Sequence, residues 1–361
     1  FMKKEEKELF FELCRFQEAD GQKIQQYLAA GADTPAVLGH LLFNRMGGIA
    51  YSVLLKNELL PKVNREFRNT LKGVYIQNIQ RNKSYFSCVH SLARTLEKCR
   101  GSYVMLKGAY LCGYYPRGCR TSNDIDILVH PSDLYLVEEA LQKDGFRQGY
   151  IRNETFVSAQ RKDIISSRIM RGETVPFIKE VNLPQMKFLE VDVNFSLDYK
   201  NGQGDTVKKI ISGASERCAA GKRIPLPSGD DFFIHLCEHL YKEAAAYPWI
   251  EMRRDMTLYK FCDIYALLYD RDPRQNDALI ERVRELGTQE ACCYAVYAVK
   301  ELLGIPKAAE QLLECLKPED TAFLHEVITP HDRGRAVYLQ KDIKKRFWTT
   351  DRRTLLKEEQ Q

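Results

Sequence analysis

Two aspartates separated by one isoleucine are the residues of this sequence best suited to chemistry. Asp124 and Asp126 open the segment DIDILVHP, in which polar and apolar residues alternate as they do in a β-strand. Residues two positions apart on a strand point to the same face, so we expect the two carboxylates to lie side by side. Their repulsion favours a bound divalent cation, and oxygen ligands without a thiolate pair favour magnesium or manganese over zinc.

The context of this D-x-D triplet distinguishes it from a chance match. About one such triplet is expected by chance in a chain of this length, and a second, Asp270–Asp272, lies in a predicted loop. A D-x-D taken alone is more often solvated surface than a site. The first triplet, however, is followed by the apolar residues 127–129, and an acidic pair in a buried strand is costly without a counter-charge.

The segment just upstream, LKGAYLCGYYPRGCRTSNDID, contains groups suited to phosphate. Gly108 lies at a predicted strand-to-helix turn, where backbone N–H groups would be open to phosphate oxygens. Lys107, Arg120 and Ser122 are the natural side-chain contacts. Each residue also has an ordinary interpretation: Gly108 as a turn residue, Lys107 and Arg120 as surface cations, and Ser122 as a helix cap.

A third aspartate lies on a later predicted strand, FLEVDVNFSL, at residues 188–197. There Val191 and Val193 point one way, while Glu190, Asp192 and Asn194 point the other. Asp192 in isolation would be a surface polar residue on a half-exposed strand. Together with Asp124 and Asp126, it predicts a site built from three carboxylates.

The elements expected around these residues divide the chain into three parts. Helical periodicity covers residues 5–98, with breaks near residues 31–35 and Pro61. The middle of the chain alternates, with strands at 103–106, 124–131 and 188–197 and helices at 106–115 and 132–144. Helical patterns resume at 226–245, 254–269, 276–303, 307–316 and 319–327. We therefore predict an α+β protein with an N-terminal helical region (1–84), a mixed core (85–225) and a C-terminal helical domain (226–361).

These motifs together resemble the DNA polymerase β-like nucleotidyltransferase superfamily. More narrowly, the chain resembles an uncharacterised bacterial nucleotidyltransferase family with a strand ending in L-K-G, a helix, an R-x-x-D-x-D-h-h-V segment, and a later strand bearing an aspartate. The corresponding segments here are Leu106–Gly108, Arg120–Val129 and Val191–Val193, and the likeness spans most of residues 60–270. It implies that the core at 85–225 is a small mixed β-sheet nucleotidyltransferase core, flanked by helices on both sides in sequence.

The resemblance also implies a mechanism. Asp124, Asp126 and Asp192 would hold Mg2+ or Mn2+, and an NTP would be the co-substrate. Its NMP would move to an acceptor hydroxyl with release of pyrophosphate, whose charge Lys107 and Arg120 would help to neutralise. The acceptor is open between a sugar, another small molecule, a peptide or protein, and an RNA end.

Two departures from the superfamily pattern affect this interpretation. Lys107–Gly108 stands where the superfamily usually has a glycine–serine pair, which leaves the triphosphate contacts open. Asn194–Phe195 stands where relatives often have a histidine and an aromatic residue.

Two alternative functions compete with nucleotidyl transfer. Residues 235–239, HLCEH, form the H-x-x-E-H pattern of a zinc hydrolase, and on a helix His235 and His239 share one face. Ordinary histidines on a helix face are the simpler interpretation, because no third ligand is identifiable. The other alternative is a nucleotide-binding module that has lost catalysis, against which the presence of all three aspartates argues.

Composition sets the remaining expectations. The 361 residues, 44% hydrophobic, suffice for a large buried core, and the net charge of +5 gives no positive argument for nucleic acid, which is a less favoured partner. The 11 scattered cysteines favour reduced thiols in a cytoplasmic protein. No apolar run reaches the roughly 20 residues that a membrane span requires.

Overall fold

The computed structural model describes residues 2–99, 101–197, 204–329 and 335–359, which form two compact units. One unit comprises Phe1–Leu71 and Phe233–Gln361, and the other comprises Lys72–Phe232. The three-part division of the sequence at residues 84 and 225 stays a prediction. The boundaries of the compact units fall at other positions, within two helices of the chain.

Most of the described residues lie in helices. They are α1 Lys4–Cys14, α2 Gly21–Ala29, α3 Thr34–Phe43, α4 Gly47–Lys56, α5 Arg65–Glu97, α6 Gly108–Tyr114, α7 Leu134–Lys143, α8 Arg161–Arg171, α9 Gly204–Ser212, α10 Gly229–Ala245, α11 Tyr247–Glu251, α12 Leu258–Asp270, α13 Asn276–Leu286, α14 Gln289–Leu303, α15 Lys307–Leu316 and α16 Ile343–Trp348. Short 3-10 helices lie at Leu60–Lys62, Pro131–Asp133, Pro273–Gln275, Ala322–His325 and Arg352–Leu355. Among the described residues, no helix combines the length and apolar composition needed to cross a membrane.

The unit Lys72–Phe232 is built on a mixed six-stranded sheet. Its strands are β1 Tyr103–Met105, β2 Asp124–Val129, β3 Arg147–Arg152, β4 Thr155–Ser158, β5 Phe177–Leu183 and β6 Met186–Asn194, in the spatial order β1-β2-β6-β5-β3-β4. Strands β2 and β6 pair in parallel, and the other neighbours pair antiparallel. A separate hairpin is formed by β7 Ser215–Ala219 and β8 Lys222–Leu226. The expected mixed sheet and the α+β class are confirmed.

Helix α5 and the central strands share one hydrophobic core. Buried residues of α5 recur at spacings of three and four, so they form a stripe along one face. That stripe joins a cluster that also contains the inward-facing residues of β2 and β6. The stripe is Tyr85, Cys88, Val89, Leu92 and Leu96, and the strand residues are Ile125, Ile127, Val129, Leu189, Val191 and Val193. The core therefore fixes α5 against the two strands that carry the candidate aspartates.

The unit of Phe1–Leu71 and Phe233–Gln361 is mainly helical, with an antiparallel three-stranded sheet. The strands are β9 Glu326–Val327, β10 Arg335–Tyr338 and β11 Leu356–Glu359. Aromatic rings of α1 and α16 pack edge to face, as Phe10 and Trp348 do with centroids 5.3 Å apart. A buried ion pair joins Asp255 and Arg352, whose guanidinium contacts both carboxylate oxygens at 2.5 and 2.6 Å.

Some expected elements differ in the structure. The pattern at 276–303 is two helices, because Gly287 takes a φ of +67° and ends α13. The helix predicted at 319–327 is wrong, since this segment contains a 3-10 helix followed by β9. The helix expected from Ser132 begins at Leu134, after a 3-10 turn at Pro131–Asp133.

Candidate functional site

Two of the predicted aspartates lie directly opposite each other on neighbouring strands. In the parallel pairing of β2 with β6, Asp126 is the partner of Asp192, and Asp124 is the partner of Glu190. Paired residues of parallel strands point to the same face and have Cα atoms about 4.8 Å apart. Four carboxyl groups therefore share one small area of the sheet.

Burial makes this carboxyl cluster unusual. Asp126 is only 4% exposed, and Asp192 and Glu190 are half-buried. Desolvation raises the pKa of Asp126 to about 6, against the opposing effect of Lys107. Desolvation and then the neighbouring charges of Asp126 and Asp124 raise the pKa of Asp192 well above its usual range. Glu190 has a raised pKa for the same reasons. Burial thus disfavours the charged form of these carboxyl groups, and the proximity of their charges adds to that effect.

Lys107 supplies a positive charge inside the cluster. Its Nζ atom lies 2.6 Å from Oδ1 of Asp126, and both side chains are largely buried. The backbone of Lys107 has φ +40° and ψ −111°, a conformation that a residue with a side chain rarely adopts. Backbone strain of this kind costs about 1–3 kcal/mol and persists only where the surroundings enforce it. The strained turn after β1 therefore directs the ammonium onto a carboxylate. The phosphate contact that the sequence predicted for Lys107 stays a prediction.

The remaining predicted residues lie on the turns around the cluster. The hydroxyl of Ser122, a residue 7% exposed, donates to Oδ1 of Asp124 at 2.8 Å. Gly108 lies against Ser122, with no room for a side chain. The guanidinium of Arg120 donates to the carbonyl of Thr121.

Thus Lys107, Gly108, Ser122 and the aspartates gather at one end of β2. The spacing from Arg120 to Asp124 is one residue longer than an R-x-x-D-x-D segment requires, so that part of the motif does not fit.

The proximity of the carboxyl groups does not by itself make a metal site. Within the described parts of the chain, no group of three or more His, Cys, Asp or Glu side chains is arranged to hold a metal ion. At the aspartates, the ammonium of Lys107 contacts Asp126. A cation that used Asp126 would therefore compete with Lys107 for its carboxylate.

A family model described as uncharacterised nucleotidyltransferase matches residues 31–304 of the chain. The chain belongs to this nucleotidyltransferase family. The match contains every candidate residue described above, from Lys107 to Asp192, and also the H-x-x-E-H segment. A comparison with curated proteins finds no match. The family thus supports a transferase with an NTP substrate, while the metal, the acceptor and the residue roles lie beyond what it describes.

The H-x-x-E-H segment of this nucleotidyltransferase lies on α10. His235 is 6% exposed, and its ring stacks on that of His239 with centroids 6.4 Å apart. His239 Nε2 lies 3.5 Å from Oε1 of Glu243, which also pairs with Lys260. The two histidines share a helix face as predicted, but the part of the chain that the structure describes offers them no set of three metal ligands.

Sequence reasoning missed two features of the site. Glu190 lies on the same face of its strand as Asp192. The alternation of polar and apolar residues in that strand could therefore have predicted it as a fourth carboxyl group of the site. Four residues of α5 whose side chains donate to backbone carbonyls at 118–124 were also missed: Asn78, Arg81, Asn82 and Tyr85. Their spacing of three and four residues was the available signal.

Proposed function

We propose that this protein is a divalent-cation-dependent nucleotidyltransferase of the DNA polymerase β-like superfamily. It would move an NMP from an NTP to an acceptor hydroxyl and release pyrophosphate. The observation that carries the proposal is the register of β2 and β6, which pairs Asp126 with Asp192 while Asp124 lies two residues away on the same face. The family match supports the same reaction class.

The donor atoms of the cluster suit a hard divalent cation, although the side chains of the described residues are not arranged around one. Asp124, Asp126 and Asp192 offer only carboxylate oxygens, which suit Mg2+ or Mn2+. Burial raises the pKa of Asp126 and of Asp192, so the cluster would gain from a positive charge beyond that of Lys107. When bound, the cation would neutralise phosphate charge and make the acceptor hydroxyl easier to deprotonate.

The protein's own groups would bind, orient and move protons. The acceptor oxygen attacks the α-phosphorus in line as the bond to the pyrophosphate oxygen breaks. Asp192, which lies opposite Asp126 in the sheet, would help to remove the hydroxyl proton. Lys107, Arg120 and Ser122 would hold the departing phosphates, with Gly108 keeping the turn close to them.

The test is transfer of label from each NTP in turn, with Mg2+ or Mn2+, alone and with cell extract as a source of acceptors. Asp126→Asn and Asp192→Asn should each lower transfer by at least about 100-fold, since a ligand should matter no less than its supporting residues. Asp270→Asn, at the exposed first residue of the second D-x-D, is the matched control and should retain wild-type transfer.

Three results would contradict the proposal or replace it. Transfer that survives Asp126→Asn would remove the carboxyl cluster from catalysis. Metal-dependent NTP binding without any transfer would favour the non-catalytic module. Stoichiometric zinc in the purified protein, lost in His235→Ala, would favour the hydrolase.

A further inference from the structure

One face of α5 carries polar side chains that donate hydrogen bonds to the backbone leading into β2. The acceptors are the carbonyls of alternate residues, from Gly118 in a turn to Asp124, the first residue of β2. The donors recur at spacings of three and four, so they share one face of the helix. The pairs are Asn78 with Gly118 at 2.9 Å, Asn82 with Arg120 at 2.8 Å, Arg81 Nε with Ser122 at 3.1 Å, and Tyr85 with Asp124 at 3.0 Å.

The same helix face also reaches the turn before β6. Arg81 Nη1 donates to the carbonyl of Gln185 at 2.8 Å, and the hydroxyl of Ser84 donates to that of Pro184 at 2.7 Å. Strand β6 begins at the next residue, Met186. One guanidinium, that of Arg81, therefore bridges the segments that enter both aspartate-bearing strands.

The donors act on the backbone close to the carboxyl cluster. The carbonyl of Asp124 accepts from Tyr85, a fully buried side chain, and the carbonyl of Ser122 accepts from Arg81. Ser122 in turn donates to the carboxylate of Asp124. A displacement of this segment would thus move both the carboxylate and its hydroxyl partner.

We propose that Asn78, Arg81, Asn82 and Tyr85 form an α5 clamp that positions residues 118–124 and the start of β6 for binding of a divalent cation by the aspartates. The inference rests on the proposed function and adds positioning residues to it. Removal of a clamp donor leaves a carbonyl of residues 118–124 without its partner, which loosens the segment. The carboxylate of Asp124 would then spend less time beside those of Asp126 and Asp192.

The experiment compares Arg81→Met and Asn82→Ala with the control Gln80→Ala, at an exposed residue of the same helix. Two measurements need no turnover: the affinity of the protein for Mn2+ alone, and hydrogen exchange of the backbone at 118–124. Loss of a supporting contact typically weakens metal binding by about 10–100-fold, and we expect this for Arg81→Met and Asn82→Ala. Exchange should quicken in residues 118–124 but not in β3 or β4.

Rescue separates positioning from general stability. Arg81→Lys keeps one donor and should recover part of the Mn2+ affinity that Arg81→Met loses, at similar melting temperatures. Unchanged exchange and unchanged Mn2+ affinity in both Arg81→Met and Asn82→Ala would overturn the clamp, and so would a uniform increase in exchange across the unit. If the wild type binds Mn2+ through the aspartates but transfers no NMP, the proposed reaction fails while these measurements still decide on the clamp.

Discussion

Gly108 lies so close to Ser122 that a Cβ atom at residue 108 would be 2.5 Å from the Cβ and 2.6 Å from the Oγ of Ser122. The same added atom would lie 2.8 Å from the hydroxyl of Tyr85. Glycine at this position therefore allows α6, α5 and the segment before β2 to meet beside the carboxyl cluster. This packing requirement is independent of any phosphate contact.

Gly108→Ala is expected to reduce both stability and activity. The added methyl must displace Ser122 or Tyr85, and overpacking of this kind costs about 1–3 kcal/mol. Because Ser122 donates to Asp124, nucleotidyl transfer should fall as well. Chemical denaturation and the transfer assay measure the two effects.

Gly73→Ala provides the matched control, since an added Cβ at residue 73 of α5 meets nothing within 4 Å. In a helix interior this change should raise stability by about 0.5–1 kcal/mol. A Gly108→Ala protein as stable and active as the wild type would show that the close contact is not required.

Lys107→Met should change the affinities for the cation and for the nucleotide in opposite directions. The ammonium contacts Asp126, so its removal should tighten binding of Mn2+ alone by at least about 10-fold, given the several kcal/mol by which nearby like charges repel at an effective dielectric of about 20. Affinity for the NTP should fall, because a phosphate contact is lost. Calorimetry with each ligand measures both.

Lys83→Met removes an exposed lysine of α5 and should change neither affinity. Weaker Mn2+ binding by Lys107→Met would mean that Lys107 supports the cation site instead of competing with it.

The carboxyl faces of the strands were predictable because they depend on local geometry. Alternation alone puts Asp124 and Asp126 on one face of their strand. It also puts Asp192 on the face of its strand that Val191 and Val193 do not share, and the burial of these two valines agrees with that. The register that brings Asp126 to Asp192 joins residues far apart in sequence. No local pattern encodes that pairing.

Other features escaped because their signals were weak or non-local. The hairpin β3–β4 turns at Asn153–Glu154, both with positive φ, instead of the Asn-Gly that marks such turns. The hairpin β7–β8 turns similarly at Ala220–Gly221. The contact of Lys107 with Asp126 depends on a strained backbone conformation that the sequence gives no reason to expect.

Acidification should destabilise the protein in part through His40. Its ring packs against Phe10 and Trp348, and burial lowers its pKa below the usual 6.5. As the pH falls, the unfolded chain therefore binds a proton at His40 before the folded protein does. The contribution of neutral His40 to the stability of the fold is complete above pH 6.5 and declines as the pH falls toward the pKa of the folded state. As the pH is lowered from 7 to 5, the melting temperature of His40→Gln should fall less than that of the wild type. A difference that is constant over this range would contradict the assignment.

The buried pair of Asp255 and Arg352 should be costly to break. Asp255 is 0% exposed and Arg352 6% exposed, so Arg352→Met leaves a carboxylate without its counter-charge in the protein interior. Breaking a buried pair in this way costs about 3–5 kcal/mol. The double variant Asp255→Leu with Arg352→Met removes the orphaned charge and should recover much of the loss. Arg353→Met breaks the neighbouring exposed pair with Asp351 and should leave the denaturation midpoint nearly unchanged. If Arg352→Met and Arg353→Met shifted the midpoint equally, burial would not be what makes the Asp255 pair matter.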